Sequence, residues 1–220
     1  MTERGEPFGG MTVEGFTVAL ASGQPVPGGG SAAAVAASLA ASLTSMVVRL
    51  SLDRPAYEAH ALLLRRALVD SDAARACFLE QADDDAAAYA AYREARRLPR
   101  ETAAQTAVRD AATRAAARTS AAVPLAVVEA CRHQLELVER LVGRTNPHAS
   151  SDLDCAALLL EAAARAAAAN VLVNLPAVGD EAFADETRIV VEEHLRHVRG
   201  ATARLRDLVA SGLLRDPEPA

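Results

Sequence analysis

The sequence predicts an all-α fold: a single-domain helical bundle with long, kinked helices around a buried, alanine-rich central helix. Hydrophobic residues make up 51% of the 220 residues, and most of them are alanine, the strongest helix former. Aromatic residues contribute only 3%, and the Val/Ile/Thr clusters that favour strands are scarce. Because alanine side chains bury little area, we expect either close helix packing or a sizeable dimer interface.

Composition and charge argue against several classes of protein. The net charge of −6 and the lack of an arginine block interleaved with aromatics are not typical of a nucleic-acid surface. Cys77, Cys131 and Cys155 lack metal-ligand spacing, so we expect reduced, buried thiols in a cytoplasmic protein. We expect no secretory signal and no membrane span, because no uninterrupted apolar run reaches roughly 18 residues.

The first elements are a flexible lead, a short helix and a long apolar helix. Residues 1–10 carry charges and glycines and are predicted to be a flexible lead before a helical domain over residues 11–212. A short helix is expected from Thr12 to about Ser22. The next helix, predicted over residues 31–50, is interrupted only by serine and threonine. A helix that is apolar all round is buried, so this one is placed at the centre of the bundle.

A proline- and glycine-rich loop joins these two helices. Its sequence, PVPGGGS over residues 25–31, places Gly28, Gly29 and Gly30 directly before Ser31, the expected N-cap. Such a loop aims backbone N–H groups at an anion or a carbonyl-bearing ligand. Read alone, the motif more commonly just starts a helix. It is neither a P-loop, since no Gly-Lys-Ser/Thr follows, nor a dinucleotide fingerprint, since no strand pattern precedes it.

Two very long helical spans come next. Asp53 is predicted to cap the first, which runs to Arg97 and is ended by Pro99. The second runs from about Glu101 to Val142 and contains Pro124, which is expected to kink or break it.

The last third of the chain predicts two more helices. Ser150 is the expected N-cap of the first, with Asp154 near the capping-box position, and Pro176 is expected to end it. The second spans roughly residues 180–209 and is amphipathic, so it should lie on the surface. Residues 213–220 are predicted to form a frayed tail.

Two asparagines four residues apart are candidate site residues. Asn170 and Asn174 share one face of a helix that otherwise consists of alanine, valine and leucine. A buried amide without a partner costs about 1–3 kcal/mol, so each must find one. The amides either bind each other or a neighbouring helix's backbone, or they face a polar pocket.

A run of three consecutive acids contains another candidate site residue. Asp83 and Asp84 are interpreted as a solvated turn, whereas Asp85 is in phase with Tyr89 and Tyr92 on a semi-apolar helix face. A carboxylate there can stay ionised beside a cation or serve as a base with a raised pKa.

Other polar residues have structural explanations. Asp152 falls in a first helical turn, where a carboxylate stabilises any helix. His194 and His197 lack a third ligand and are interpreted as surface residues, not a zinc pair. No spacing supports a Ser-His-Asp or Cys-His arrangement, so from the residues alone the activity stays open.

Several motifs taken together resemble the cyclodeaminase/cyclohydrolase family of folate enzymes. They are, in chain order, FTVALAS at 16–22, PVPGGGSAAA at 25–34 and on to Met46, DAAAY at 85–89, Leu98-Pro99, Arg109, Pro124, Asn146, Ser151-Asp152 and NVLVNL at 170–175. The likeness covers nearly the whole chain. Ala166 and Thr145 stand where the family often has glycine, and His148 replaces a small polar residue. The last two differences lie in the loop beside Asp152.

The resemblance implies an all-helical homodimer that acts on tetrahydrofolate one-carbon derivatives, with no metal or other cofactor. It implies one of two reactions. The first, which we place ahead, is a 5-formimidoyltetrahydrofolate cyclodeaminase that forms 5,10-methenyltetrahydrofolate and ammonia. The alternative is a 5,10-methenyltetrahydrofolate cyclohydrolase that forms 10-formyltetrahydrofolate. A second alternative is a non-enzymatic helical interaction protein that retains the fold.

The resemblance also implies roles for particular residues. Asp85 and Asp152 are the acid/base and cation-stabilising candidates. Folate-binding candidates are Gly28, Gly29, Gly30 and Ser31 through backbone N–H groups, Asn146, Asn170 and Asn174 through amides, and Arg109 through a glutamate carboxylate. The substrate is expected to be a folate, possibly polyglutamylated, and partners such as nucleic acid or a membrane are not expected.

Overall fold

The computed structural model describes residues 7–218, and the prediction of an all-α fold is confirmed. Within that range there are no strands. The six helices are α1 (Val13–Leu20), α2 (Gly29–Ser51), α3 (Ala61–Arg97), α4 (Ala103–Leu141), α5 (Ser150–Val178) and α6 (Glu181–Ser211). Three short 3-10 turns accompany them, at Phe8–Gly10, Pro55–His60 and Pro147–Ala149.

Helices α2 to α5 form an antiparallel four-helix core. Each packs on two neighbours, in the cyclic order α2, α3, α4, α5, and α6 lies on α4 and α5. Two hydrogen bonds fix the relative direction of α2 and α3. The Ser31 hydroxyl at the start of α2 donates to the Ala82 carbonyl of α3, and the Ser45 hydroxyl further along α2 donates to Asp72, nearer the start of α3. The pocket described below lies where α2 begins and α5 ends.

Helix α2 is the alanine-rich core helix that the sequence predicts, but it is not buried on every side. Its inner face, which includes Ala34, Ala41 and Val48, is fully buried. Its outer face exposes Leu39 and Met46. Since α6 covers α4 and α5 only, the outer side of the α2–α5 pair has no covering helix among the described residues.

Two prolines lie inside helices without ending them. Pro124 was expected to kink or break its helix. Helix α4 continues through Pro124, so the helix does not break there. Helix α5 continues past Pro176 to Val178, so the prediction that it ends at Pro176 was wrong. A proline in the last turn removes one hydrogen bond, and the helix ends only at Gly179, whose left-handed φ of 68° reverses the chain.

Several predicted caps are also wrong. Ser31 lies in the first turn of α2, and Gly28 holds the N-cap position. Helix α5 has no side-chain cap, because the 3-10 turn Pro147–Ala149 leads directly into it, so neither Ser150 nor Asp154 caps it. Asp53 adopts φ 57°, and a 3-10 turn separates it from α3.

The two ends of the described chain are tied to the bundle. Residues 1–6 of the predicted flexible lead lie outside the described residues, and the N–H of Phe8 donates to Asp83 Oδ1 at 2.9 Å. Residues 213–218, part of the predicted tail, have no regular secondary structure but contact the end of α4. The last carbonyls of a helix have no partner within the helix. At the end of α4, Arg215 donates to the Glu139 carbonyl at 2.8 Å, and Arg140 forms an ion pair with Glu218 at 2.6 Å.

Cysteine exposure corrects one further expectation, and two helical segments are long and apolar enough to be membrane-span candidates by composition. Cys131 is buried, but Cys77 and Cys155 are exposed. By length and hydropathy alone, α2 and the segment Pro147–Val178 could each cross a membrane. In α2, 61% of the most apolar stretch is buried inside the bundle, as expected for a core helix, whereas the corresponding figure for the second segment is 44%.

Candidate active site

A cavity of about 340 Å³ lies where α2 begins, between α3, α4 and the end of α5. Its walls combine the predicted glycines, carboxylate and asparagines with residues that sequence reasoning did not assign to the site. The lining residues are Pro25, Val26, Gly28, Gly29, Gly30, Asp85, Tyr89, Tyr92, Ser120, Asn170, Val173 and Asn174. The fold therefore joins four separate stretches of sequence in one pocket.

Asp85 reaches across from α3 and caps the start of α2. Its Oδ2 accepts a hydrogen bond from the Ser31 N–H at 2.9 Å. The Ser31 hydroxyl lies 3.1 Å from the same oxygen and 3.0 Å from the Ala82 carbonyl, so its single proton has two acceptors. One N–H group that was expected to face a ligand is thus already bound to a carboxylate.

Gly30 and Gly29 serve different purposes. A Cβ on Gly30 would lie 2.1 Å from Asp85 Oδ1, so only glycine allows the carboxylate to sit over this turn. A Cβ on Gly29 would lie 3.5 Å from Asn170 Nδ2, an ordinary contact. Gly30 is therefore required by Asp85, whereas Gly29 leaves open room on the pocket side.

Burial shifts the acidity of Asp85. Removal from water raises the pKa of this carboxyl, and the hydrogen bonds from the side chain and backbone of Ser31 oppose that rise. No lysine, arginine or histidine is among the residues that line the pocket. Asp85 is thus a half-buried carboxylate without a cationic partner, which suits proton transfer or contact with a cationic substrate.

The two asparagines use their amide nitrogens on helix carbonyls. Asn170 Nδ2 donates to the Ala166 carbonyl at 2.9 Å, and Asn174 Nδ2 donates to the carbonyls of Asn170 (2.9 Å) and Ser120 (2.8 Å). These donors fix the orientation of each amide. Among residues 7–218 we find no donor to either Oδ1, so two amide oxygens remain available to the pocket. Both sequence interpretations therefore hold: the amides bind backbone and line a polar pocket.

Pro124 explains why Asn174 is needed. In an uninterrupted helix the N–H of residue 124 would donate to the Ser120 carbonyl, but proline has no N–H. Asn174 supplies the missing donor from α5. A proline four residues after Ser120 is therefore a sequence signal that points to this carbonyl.

Two tyrosines form the outer wall of the pocket. Tyr89 and Tyr92 project from α3 on the face of Asp85, as their spacing predicts. The Arg96 guanidinium carbon lies 5.9 Å from the centre of the Tyr92 ring, one turn further along α3. The two tyrosines thus add aromatic surface to a pocket whose other lining includes Asp85 and the two asparagines.

Two predicted site residues lie at the other end of the α2–α5 pair. Asn146 accepts from the His148 N–H at 3.1 Å, and its own N–H donates to Ser51 Oγ at 2.8 Å. Asp152 precedes Asn170 by 18 residues on the same helix, a separation of about 27 Å. Within one chain the structure does not bring Asn146 or Asp152 to the pocket.

Arg109 is also outside the pocket. Its Nε donates to the Arg96 carbonyl at 3.0 Å, in a shallow depression at the tip of the α3–α4 hairpin. Arg97 and Arg100 line the same depression.

Over residues 7–218, no group of three His, Cys, Asp or Glu side chains is placed to hold a metal ion.

Comparisons with known proteins agree on a family. Residues 12–193 match the family described as formiminotransferase-cyclodeaminase. A methenyltetrahydrofolate cyclohydrolase from Methylorubrum extorquens is 34% identical over 203 residues, which are 92% of this chain and 98% of that protein. A formimidoyltransferase-cyclodeaminase from Sus scrofa is 33% identical over 87% of this chain, which spans only 36% of that longer protein.

A solved structure shows the same fold. A formiminotetrahydrofolate cyclodeaminase from Thermotoga maritima superimposes with a TM-score of 0.83, at 23% identity, over 92% of this chain and 98% of that one. At this identity the likeness speaks for the fold alone. The family match, which covers most of the chain, carries the assignment: the chain belongs to the formiminotransferase-cyclodeaminase family.

Proposed function

We propose that this chain hydrolyses 5,10-methenyltetrahydrofolate to 10-formyltetrahydrofolate. The observation that carries the proposal is Asp85, a half-buried carboxylate with a raised pKa that the pocket holds without a cationic partner. Such a group can take a proton from water and return it within one reaction cycle.

The charge of the pocket suits this substrate. The methenyl carbon lies between two folate nitrogens and shares a positive charge with them. Asp85 offers a carboxylate, and Asn170 and Asn174 offer amide oxygens, all acceptors that stabilise positive charge. The flat rings of Tyr89 and Tyr92 provide a surface on which a pterin ring can stack.

The proton steps follow from these positions. Asp85 removes a proton from a water molecule while the oxygen of that water bonds to the methenyl carbon. The product of this step is a neutral tetrahedral carbon. The bond from that carbon to N5 then breaks as N5 takes the proton from Asp85. The hydroxyl on the carbon loses its proton to solvent, which leaves a formyl group on N10. One water is consumed and one proton released.

Cyclodeamination is the second candidate, and the same site supports it. N10 would attack the carbon of the protonated formimidoyl group and lose its proton to Asp85. Asp85 would then pass this proton to the departing amino group, so that ammonia leaves and the positive charge stays on the methenyl product. We place hydrolysis first because a relative that is 34% identical and matched over 98% of its length is named a cyclohydrolase. The formimidoyltransferase-cyclodeaminase from Sus scrofa is a longer protein, and the cyclodeaminase of similar length from Thermotoga maritima is only 23% identical. The sequence alone had favoured the opposite order.

The hairpin tip is a proposed site for the glutamate part of the folate. Arg96 and Arg100 have no carboxylate partner among the described residues, and Arg109 has only Asp110, at 3.8 Å. Arg96 lies one helical turn beyond Tyr92, so a folate whose pterin rests on the tyrosines would point its glutamate toward this tip. A homodimer in the cytoplasm remains the expected state of the enzyme.

The test supplies each folate separately and follows the absorbance of the methenyl form. Hydrolysis predicts that absorbance from 5,10-methenyltetrahydrofolate disappears faster than in buffer alone. Cyclodeamination predicts that it appears from 5-formimidoyltetrahydrofolate, together with ammonia. If neither changes above the uncatalysed rate, both proposed reactions are wrong and the non-enzymatic alternative gains support.

A further inference from the structure

Three oxygen atoms in the pocket receive no hydrogen bond from the protein. They are Oδ1 of Asp85, Oδ1 of Asn170 and Oδ1 of Asn174, and among residues 7–218 no group donates to any of them. None of the three is sealed from solvent. A ligand can therefore reach three acceptors that the fold itself does not use.

The glycines at the start of α2 show how close two of these oxygens lie. A Cβ on Gly30 would lie 2.1 Å from Asp85 Oδ1, and a Cβ on Gly29 would lie 3.9 Å from Asn170 Oδ1. Because these glycines are consecutive, the carboxylate and the amide lie over neighbouring residues, whose Cα atoms are about 3.8 Å apart. Asn174 follows Asn170 by one helical turn on the same face. The three acceptors therefore belong to one small region of the cavity.

The carboxylate of Asp85 has one oxygen engaged and one free. Oδ2 accepts from the Ser31 N–H at 2.9 Å and lies 3.1 Å from the Ser31 hydroxyl, whereas Oδ1 has no donor among the described residues. A ligand that binds both carboxylate oxygens would compete with Ser31 for Oδ2. A ligand with N–H groups on two nitrogens can instead donate one to Asp85 Oδ1 and the other to an asparagine oxygen.

Charge, aromatic surface and size restrict the ligand further. The lining includes a carboxylate and no lysine, arginine or histidine, so the pocket favours a cation. Tyr89 and Tyr92 add aromatic rings, whose faces attract cations. The cavity of about 340 Å³ is at the small end of the range for ligand pockets, roughly 300–1,000 Å³, so it suits a group of one or two rings.

We propose that this pocket binds planar amidinium cations that are not folates, with one N–H on Asp85 Oδ1 and a second on Oδ1 of Asn170 or Asn174. An amidinium shares its charge between two nitrogens on one carbon, and the N–H groups of both nitrogens lie in one plane. It therefore supplies the charge and the two separate donors that the free oxygens require. Such cations should also compete with the folate for its charged carbon's place. That competition rests on the proposed function, whereas the binding does not.

A metal ion is the other class of cation that oxygen atoms attract. Calcium takes roughly six to eight oxygen ligands, commonly from several carboxylates. The pocket offers one carboxylate and two amide oxygens among its described lining. Its tyrosine rings also suit an organic cation better than a hydrated metal ion. These features favour the amidinium, and the experiments below include magnesium as a competitor.

The first experiment compares three probes that share one ring, using the wild-type protein. Benzamidinium has the charge and N–H groups on two nitrogens, benzamide lacks the charge, and phenyltrimethylammonium lacks N–H groups. By titration calorimetry, benzamidinium should bind at least about tenfold more tightly than either of the others, because only it makes charge-assisted hydrogen bonds. Equal affinity for benzamide, or for phenyltrimethylammonium, would overturn the proposal.

The second experiment locates the bound probe. By NMR of isotope-labelled protein, benzamidinium should shift the side-chain amide signals of Asn170 and Asn174. The signal of Asn146, at the other end of the α2–α5 pair, should not move. Asp85→Asn should weaken binding at least about tenfold, and Asp84→Asn, an exposed neighbour, is the matched control. Retained affinity in Asp85→Asn contradicts the assignment. If that variant does not fold, the amide shifts in wild type decide the location.

The third experiment separates this inference from the proposed function. With whichever folate the enzyme converts, benzamidinium should raise KM and leave kcat unchanged. An unchanged KM at concentrations that fill the site would refute the competition, while the binding results stand. If wild type converts neither folate, the proposed function fails, and calorimetry and the amide shifts still decide whether the pocket holds an amidinium. Displacement of benzamidinium by an equal concentration of magnesium ions would make the pocket a metal site and overturn the proposal.

Discussion

The two ends of the α2–α5 pair both carry polar residues, but they use them differently. At the loop end, the Asn146 N–H donates to Ser51 Oγ, and the Asn146 amide oxygen accepts from the His148 N–H, so both groups serve the local turn. At the pocket end, Asp85 and the two asparagines bind backbone groups with one part of each side chain and leave oxygens free with the other. A buried polar residue indicates a site when its hydrogen-bonding capacity is not used up by the fold.

Among the substitutions that test this contrast, Asp85→Asn is expected to lower activity the most. The amide still accepts from Ser31 but cannot take a proton, so we expect kcat on the active folate to fall by about 10² to 10⁴-fold. Asp84→Asn, an adjacent and exposed position, is the matched control and should keep wild-type kcat. A rise in KM with kcat unchanged would instead make Asp85 a pterin-binding group.

Gly30→Ala is expected to have the next largest effect. The added methyl group would meet Asp85 Oδ1 and displace the carboxylate, and a shift of about 1 Å in a reacting group costs on the order of 10² in rate. The variant should also unfold more easily, although alanine in place of glycine normally stabilises a helix.

Gly23→Ala is the control for this change, because nothing lies within 4 Å of the added carbon. Thermal unfolding and steady-state kinetics of both variants check the prediction. Wild-type rates in Gly30→Ala would show that Asp85 is not held where the reaction needs it.

The link between Pro124 and Asn174 predicts a coupled effect on stability. Asn174→Ala leaves the Ser120 carbonyl without a donor and should lower the free energy of unfolding by about 1–3 kcal/mol. In a Pro124→Ala background the helix supplies its own donor, so the same substitution should cost less. A double-mutant cycle by urea denaturation measures the difference.

Asn170→Ala serves as the comparison within the same helix. Its amide donates to the carbonyl of Ala166, four residues earlier in α5, so truncation should cost less than at Asn174. Equal costs for Asn174→Ala in both backgrounds would contradict the link to Pro124.

The smallest expected effect is a shift in the pH profile. Asp85 acts as a base only when it is ionised, and burial raises its pKa. As the pH falls, activity should therefore be lost at a higher pH than an ordinary aspartate would give. Ser31→Ala removes a donor that favours the ionised form, which raises the pKa of Asp85 further. The acid limb of kcat/KM should therefore move to higher pH. No movement would mean that the Ser31 hydroxyl donates to the Ala82 carbonyl instead.

Local composition was enough to predict the fold, but not all the helix ends. Alanine dominance and helical spacing identified six helices because those signals act within a few residues. The cap of α2 comes from Asp85, 54 residues away from Ser31, and the carbonyls at the end of α4 are bound by Arg215. Caps that come from distant side chains leave no local pattern.

The part of the candidate site that could be predicted is also the part with a local signal. Asp85, Asn170 and Asn174 were found because each is a polar residue on an apolar helix face, and the pocket contains all three. Placing Asp152 beside them in one chain was avoidable. Two residues 18 positions apart on one helix are too far apart to share a small cavity, and that distance follows from helix geometry alone.

The hydrogen bond from Asn174 to the Ser120 carbonyl has a consequence for how α4 and α5 align. Toward the pocket end, the buried residues of α4 and α5 are small, with Ala117 and Ala121 on α4 and Ala167 and Ala168 on α5, so packing there resists sliding less than large side chains do. The carbonyl left free by Pro124 gives α5 a specific partner at this end. The missing bond in α4 thus favours one register of the two helices, and with it the height of the asparagines in the pocket.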